Sequence, residues 1–154
     1  MEAIQRLKYN SETQLTPCLG ALFSSSAIEL IPNPRDFLTI PVPLHRRRLR
    51  ERGFNQSLLL AKALSSYLGT QLDYLCLIRK RHTRAQTGLG KEERRKNVKD
   101  AFSVIYPHII EGRKIILVDD VFTTGYTLNE CARTLKKSGA TAVICLTLAR
   151  TLFD

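Results

Sequence analysis

"KIILVDDVFTTGYTLNECARTLKKSGATAVICLTLA", residues 114–149, carries three segments of different periodicity. "KIILVDD" and "AVICLTLA" are short apolar runs with β-branched residues, and both read as buried parallel strands. Between them Leu128, Cys131, Ala132 and Leu135 recur at helical spacing, and Gly139 marks a helix stop. Strand, helix and strand in succession form a right-handed crossover unit. The chain therefore predicts an open, mostly parallel α/β sheet flanked by helices, with ligands expected beyond the carboxyl ends of the strands.

Working outward, "DFLTIPV" (36–42) reads as a further core strand. "NQSLLLAKALSSYL" (55–68) reads as a helix capped near Asn55 or Ser57, with its leucines in the core. "LTPCLGALFSSSAIEL" (15–30) predicts a weaker amphipathic helix. Thr83 to Asp100 is polar, contains glycine and has no clean period, so it is expected to be a long flexible loop. At 154 residues with 44% hydrophobic content, a single domain over 1–154 with a real core is expected. No apolar run reaches the roughly 18 residues of a membrane span, and "MEAIQRLKYN" lacks the features of a signal peptide, which points to the cytoplasm. The four cysteines, Cys18, Cys76, Cys131 and Cys145, contain no C-x-x-C pair, and no metal ligands are assigned.

The formal charge of +10 is concentrated in two places. "HRRRLRER" (45–52) and "RKRHTRAQTGLGKEERRK" (79–96) hold thirteen Arg and Lys against Glu51, Glu92 and Glu93, and elsewhere the signs balance. A charge run can be no more than a solvated face. Confinement to two segments favours a polyanion site, phosphate or nucleic acid.

The polar residues after Val118 need a chemical reading, with the strand expected to end there and the helix to start near Thr127. A metal-binding strand of a P-loop nucleotidase is excluded, because nothing fits G-x-x-x-x-G-K-[ST]. A phospho-acceptor receiver domain fails as well, since only 34 residues follow Asp120. Turn and cap chemistry alone stays open as the plain alternative. The positive reading is that backbone N–H groups around Gly125, with the hydroxyls of Thr123, Thr124 and Thr127, cradle a monophosphate at a helix N-terminus. Asp119 and Asp120 can accept hydrogen bonds from two vicinal hydroxyls. Phosphate plus diol points to a ribose 5-phosphate.

"IILVDDVFTTGYT" (115–127) resembles the phosphoribosyl pyrophosphate (PRPP) signature of type I phosphoribosyltransferases. "IPVPLHRRRLRERGFNQSLLLAKAL" (40–64), "RHTRAQTGLGKEERRKNVKDAF" (81–102) and "SGATAVICLTLAR" (138–150), with "RLKYN" near the start, resemble the ComF, GntX-like branch of that superfamily. Members commonly open with a four-cysteine zinc module, and the chain is expected to lack it. The resemblance implies the type I phosphoribosyltransferase fold. It implies that Asp119 and Asp120 hold the ribose, and that Thr123, Thr124, Gly125, Tyr126 and Thr127 hold the 5-phosphate. Pro41, Val42, Pro43, Leu44, His45 and Arg46 would form the pyrophosphate loop, where the Pro-Val-Pro segment is stiff. Arg84, Gln86 and Thr87 would lie in a flexible loop over the diphosphate. Mg²⁺ would bridge diphosphate and ribose oxygens.

The resemblance also implies a role in DNA uptake and natural transformation, with a competence helicase or recombination proteins as partners. Arg47, Arg48, Arg50, Arg94, Arg95 and Lys96 are the expected contacts for single-stranded DNA. The second hypothesis is a working transferase, amidophosphoribosyltransferase-like or acting in nucleobase salvage, that releases pyrophosphate. Such an enzyme needs an acceptor pocket, and no aromatic-rich segment supplies one ahead of the first core strand. A phosphate pocket needs only a few cations, so thirteen favour the nucleic-acid reading. His45 and His82 lie in basic segments where phosphate contact and plain solvation are both open. Phe54 is expected in the core, and Tyr126 either stacks or covers the phosphate turn.

Overall fold

In the computed structural model, residues 23, 31–83 and 91–151 are described. The central sheet has four parallel strands in the order β2-β1-β5-β6: β1 Phe37–Pro41, β2 Gln71–Leu72, β5 Lys114–Phe122 and β6 Ala142–Arg150. A separate antiparallel pair joins β3 (Leu77–Arg79) to β4 (Phe102–Val104). The described helices are α1 Arg46–Arg52, α2 Gln56–Leu68, α3 Lys91–Val98, the short α4 Pro107–Ile110 and α5 Tyr126–Lys137.

β5 is the organising strand. Strand side chains alternate between faces, and its buried residues divide accordingly. Ile115 and Leu117 pack with Leu38, Ile40, Leu128, Cys131 and Leu135 on the face covered by α5. Ile116 and Val118 pack with Phe37, Leu60, Leu64 and Leu68 on the face covered by α2. Burial on both faces explains why this segment reads as a continuous apolar run. Phe23, which falls within the expected N-terminal helix, is buried in the second cluster. The rest of that expectation, residues 15–22 and 24–30, lies outside the described residues.

Helix α2 starts where the sequence placed it. Asn55 is its N-cap, and its side-chain oxygen accepts from the Ser57 N–H at 3.1 Å. Leu60, Leu64 and Leu68 are buried, while Leu58 and Leu59 are half-buried. Helix α5 ends at Lys137, followed by Gly139 at φ 93. A Cβ there would come within 3.2 Å of the Glu111 Cα, so both conformation and packing demand glycine.

Three expectations change. Strand β5 does not stop at Val118 but continues through Phe122, because β6 stays paired alongside it at Asp119↔Thr147, Val121↔Ala149 and Phe122↔Arg150. The loop expected over Pro41–Arg46 gives way at its end to a helix, and residues 46–52 form α1, capped by the His45 Nδ1 on the Arg47 N–H and closed by Gly53. The span 83–100 is not all loop, since 91–98 is helical. Lys, Glu and Arg are good helix formers, and the periodicity is absent because Val98 is the one buried residue among those described there.

Leu117 is fully buried between β1, β6 and α5. Leu117→Ala should lower unfolding free energy by about 2–5 kcal/mol in urea melts. A midpoint equal to that of the unaltered chain would refute this packing of the central strand.

Candidate phosphoribosyl site

The ends of four elements meet at the carboxyl edge of the sheet. Val42, just after β1, donates its N–H to the Val118 carbonyl at 2.8 Å, which sets the start of the 41–46 segment beside the exit of β5. Asn55 donates its side-chain N–H to the Val42 carbonyl at 3.1 Å and thereby ties the same segment to the start of α2. In the first turn of α2, the buried Ser57 hydroxyl donates to Asp119 Oδ1 at 2.9 Å. The Asp120 N–H donates to that oxygen at 3.0 Å. Within Pro41 to Arg46, Pro41 and Val42 are core, Arg46 opens α1, and Pro43, Leu44 and His45 form the loop proper. No described peptide bond is cis.

Because β5 continues past Val118, the two aspartates lie on extended strand, where neighbours project to opposite sides. They are not an equivalent side-by-side pair. Asp119 is gripped by Ser57, whereas Asp120 Oδ1 accepts from the Val121 N–H at 2.8 Å.

The turn Thr123–Gly125 delivers the chain into α5. Gly125 is the N-cap at φ 73 with no side chain to satisfy the first-turn amides. The Thr124 hydroxyl is buried and has no hydrogen-bond partner among the described residues. Amides at a helix start plus a buried hydroxyl awaiting an acceptor suit an anion. Phe122 packs beneath the turn with the Arg150 guanidinium over its ring, 5.5 Å from the centroid. A Cβ at 125 would sit 2.9 Å from that ring.

Cations gather on the other side. Arg79, at the end of β3, is half-buried, lies 5.3 Å from the Phe102 ring centroid and donates to the Thr83 hydroxyl. Burial lowers its pKa, Arg48 and Arg81 act the same way, and Asp119 opposes them. His45 and His82 meet edge to face at 5.1 Å. The His45 pKa is lowered by desolvation and then by His82, Arg79, Arg50 and Arg46. The start of the first basic segment and the start of the second therefore adjoin. Arg47 is paired with Glu51 at 3.0 Å, which leaves Arg46, Arg48 and Arg50 as the less committed cations of α1. Arg95 and Lys96 are exposed on α3, and Arg94 is also in that helix. Arg84, Gln86 and Thr87 lie outside the described residues.

Two participants were not singled out from sequence. Ser57 was legible only as a cap, because its aspartate is 62 positions away. Arg79 was one cation among thirteen, and its position at the end of the apolar "CLIR" was the available signal. Burial raises the pKa of Cys76 and of Cys131, so both thiols stay protonated. Among the described residues no group of three or more His, Cys, Asp and Glu could hold a metal, and no helix is long and apolar enough to cross a membrane.

The phosphoribosyl transferase domain model matches residues 55–152. DNA utilization protein YhgH of Escherichia coli K12 is 38% identical over 97% of this chain and 66% of its own length. Competence protein F of Haemophilus influenzae is 42% identical over 72% of this chain and 49% of its own. The chain thus spans less than two thirds of the length of these relatives. Among solved structures, the glutamine PRPP amidotransferase from B. subtilis superposes with a TM-score of 0.56 at 19% identity, over 86% of this chain and 26% of that one, a likeness of fold.

Gly125→Ala should cost about 1–3 kcal/mol, from the left-handed backbone and the contact with Phe122. Adding Phe122→Ala should remove the steric part of the Gly125→Ala penalty, so a double-variant cycle should show positive coupling. Gly125→Ala with unchanged stability would contradict the turn geometry.

Proposed function

Because this chain belongs to the phosphoribosyl transferase domain family, we propose that it binds PRPP at the carboxyl edge of its sheet. We infer that it acts as an accessory factor in DNA uptake, with its basic segments holding single-stranded DNA. The buried Thr124 hydroxyl carries the first part: it belongs to the turn at the start of α5 and has no partner among the described residues, and a 5-phosphate bound there would supply its acceptor. Asp119, held by Ser57, would take a ribose hydroxyl. Pro43 to Arg46 would line the diphosphate, and Arg79 would face its negative charge across the site.

Mg²⁺ fits the site as a companion of PRPP, which would supply most of its ligands, and the hard carboxylate oxygens of Asp119 at the strand end would suit its charge. When bound it would neutralise diphosphate charge. The relatives' names, DNA utilization protein and competence protein, support the second part of the reading. So does the adjacency of the two basic segments at His45 and His82. The alternative, a transferase releasing pyrophosphate, is favoured by Arg79, because a half-buried guanidinium beside the diphosphate position would stabilise the departing charge.

Asp119→Asn combined with Asp120→Asn should abolish PRPP binding in calorimetry with the circular dichroism spectrum retained. Undiminished binding would remove the site assignment. Single-stranded DNA should bind with log K falling against log salt at a slope of roughly −3 to −4, for about four to six phosphates at ~0.7 each. Reversing Arg94, Arg95 and Lys96 to Glu should flatten that slope and leave PRPP binding intact. DNA binding that is absent or insensitive to salt would shift the balance to the transferase, which pyrophosphate release in the presence of an amine or nucleobase would reveal.

A further inference from the structure

Helix α3 presents a physical problem. It has eight residues, and Val98 is the one buried side chain among those described in it. A helix this short has no independent stability in water, so its place must be set by what it is fastened to. Its C-terminal end is held from two directions. Arg81 Nη2 donates to the carbonyls of Asn97 at 3.1 Å and Lys99 at 2.7 Å, where helix carbonyls run out of partners and a cation is favoured. The N–H groups of Lys80 and Arg81 both reach the Ala101 carbonyl, which closes the base of the segment.

The second hold comes from α5. Glu130 is 8% exposed and Oε1 accepts the Asp100 N–H at 2.7 Å. Arg133 donates to Asp100 Oδ1 at 2.7 Å, to Glu130 Oε1 at 2.6 Å and to Glu130 Oε2 at 3.1 Å. Asp100 itself is held at φ 54, a left-handed conformation uncommon outside glycine, which aspartate is among the residues best able to adopt. Glu130 and Arg133 belong to the same helix whose first turn follows Gly125.

We propose that Glu130 and Arg133 are positioning residues: through Asp100 they clasp basic helix α3 to α5, so that polyanion binding by α3 depends on two residues that need not touch the polyanion. This rests on the nucleic-acid reading above for the identity of the polyanion, and on the hydrogen bonds alone for the clasp. The Glu130 carboxyl is pushed up by burial, but the bonds from Arg133 and the Asp100 N–H outweigh that and hold it below its ordinary value. The clasp therefore contributes its full stability above pH 4.5 and loses it as pH falls through the depressed value.

Two variants with opposite changes in charge separate the clasp from simple electrostatics. Glu130→Ala makes the protein more positive, so field effects alone would tighten its hold on a short oligothymidylate. Loss of the clasp should instead weaken it, by about threefold to tenfold, in proportion to the modest energy of a few hydrogen bonds. Arg133→Met keeps an apolar stem and spares the buried position, so it stands as the second variant if Glu130→Ala fails to fold. In ligand-free protein, either variant should speed amide hydrogen exchange at residues 93–101 about tenfold and leave 115–118 unchanged. Unchanged exchange at 93–101 would overturn the clasp, and tighter oligothymidylate binding by folded Glu130→Ala would overturn its role in positioning. If the unaltered chain binds no oligothymidylate, the nucleic-acid reading falls, and exchange alone still judges the clasp.

Discussion

The complete burial of Ile115–Val118 is the constraint from which the rest follows. A strand covered on both faces can hold a polar side chain only where a hydrogen-bond partner is supplied, as Thr70 does for the buried Thr39 of β1, and 115–118 carries no polar side chain. Everything polar is therefore deferred to its exit, where Asp119, Asp120 and the threonines of the turn accumulate. The same burial fixes the neighbours. β1 must lie beside β5 in parallel register, so the segment after β1 emerges at the same edge, and the Val42 N–H to Val118 carbonyl bond is the direct expression of that alignment. Helix α2 must cover one face, which delivers Ser57 to Asp119. The candidate site is thus a consequence of where the apolar run ends.

The cationic side of the site is assembled against its own repulsion. Desolvation, and after it the closeness of His82, Arg79, Arg50 and Arg46, depresses the His45 pKa, and Asp119 partly offsets the charge around Arg79. Such an arrangement costs stability in the absence of an anion and gains it back when one binds. This gives a physical reason for reading the charge excess as a binding feature. It also sets the two parts of the proposed function side by side, since the loop assigned to diphosphate runs directly into the first basic helix.

Most of the sheet was legible because burial imposes a period. Phe37–Pro41, Gln56–Leu68, Tyr126–Lys137 and Ala142–Arg150 all pack against the core on at least one face, and the sequence repeats accordingly. Elements that bury little were not legible. "RRRLRER" has no buried residue and "KEERRKNV" has one among its described side chains, so neither displays a helical face, and the helical character rests on propensity, with caps added in the first. β3 and β4 are three residues each, too short to show alternation. The extension of β5 through Phe122 depends on its pairing with β6, a long-range fact that "DDVFTT" does not contain. In the candidate site, the turn proposed for phosphate was readable from local chemistry, whereas Ser57 bonds to Asp119 and Arg79 lies against Phe102, residues far away in the chain.

The most direct test of the central claim is an amide-resolved nuclear magnetic resonance titration of the chain with ribose 5-phosphate, which offers the phosphate and the diol without the diphosphate. The account predicts saturable shifts at the amides of Thr123 to Thr127 and at Asp119 and Asp120, with little change along Arg46–Arg52. Shifts confined to Arg46–Arg52 and residues 91–98, with none between 119 and 127, would mean that the anion is held by the basic helices alone and that the turn at Gly125 is not a phosphate site.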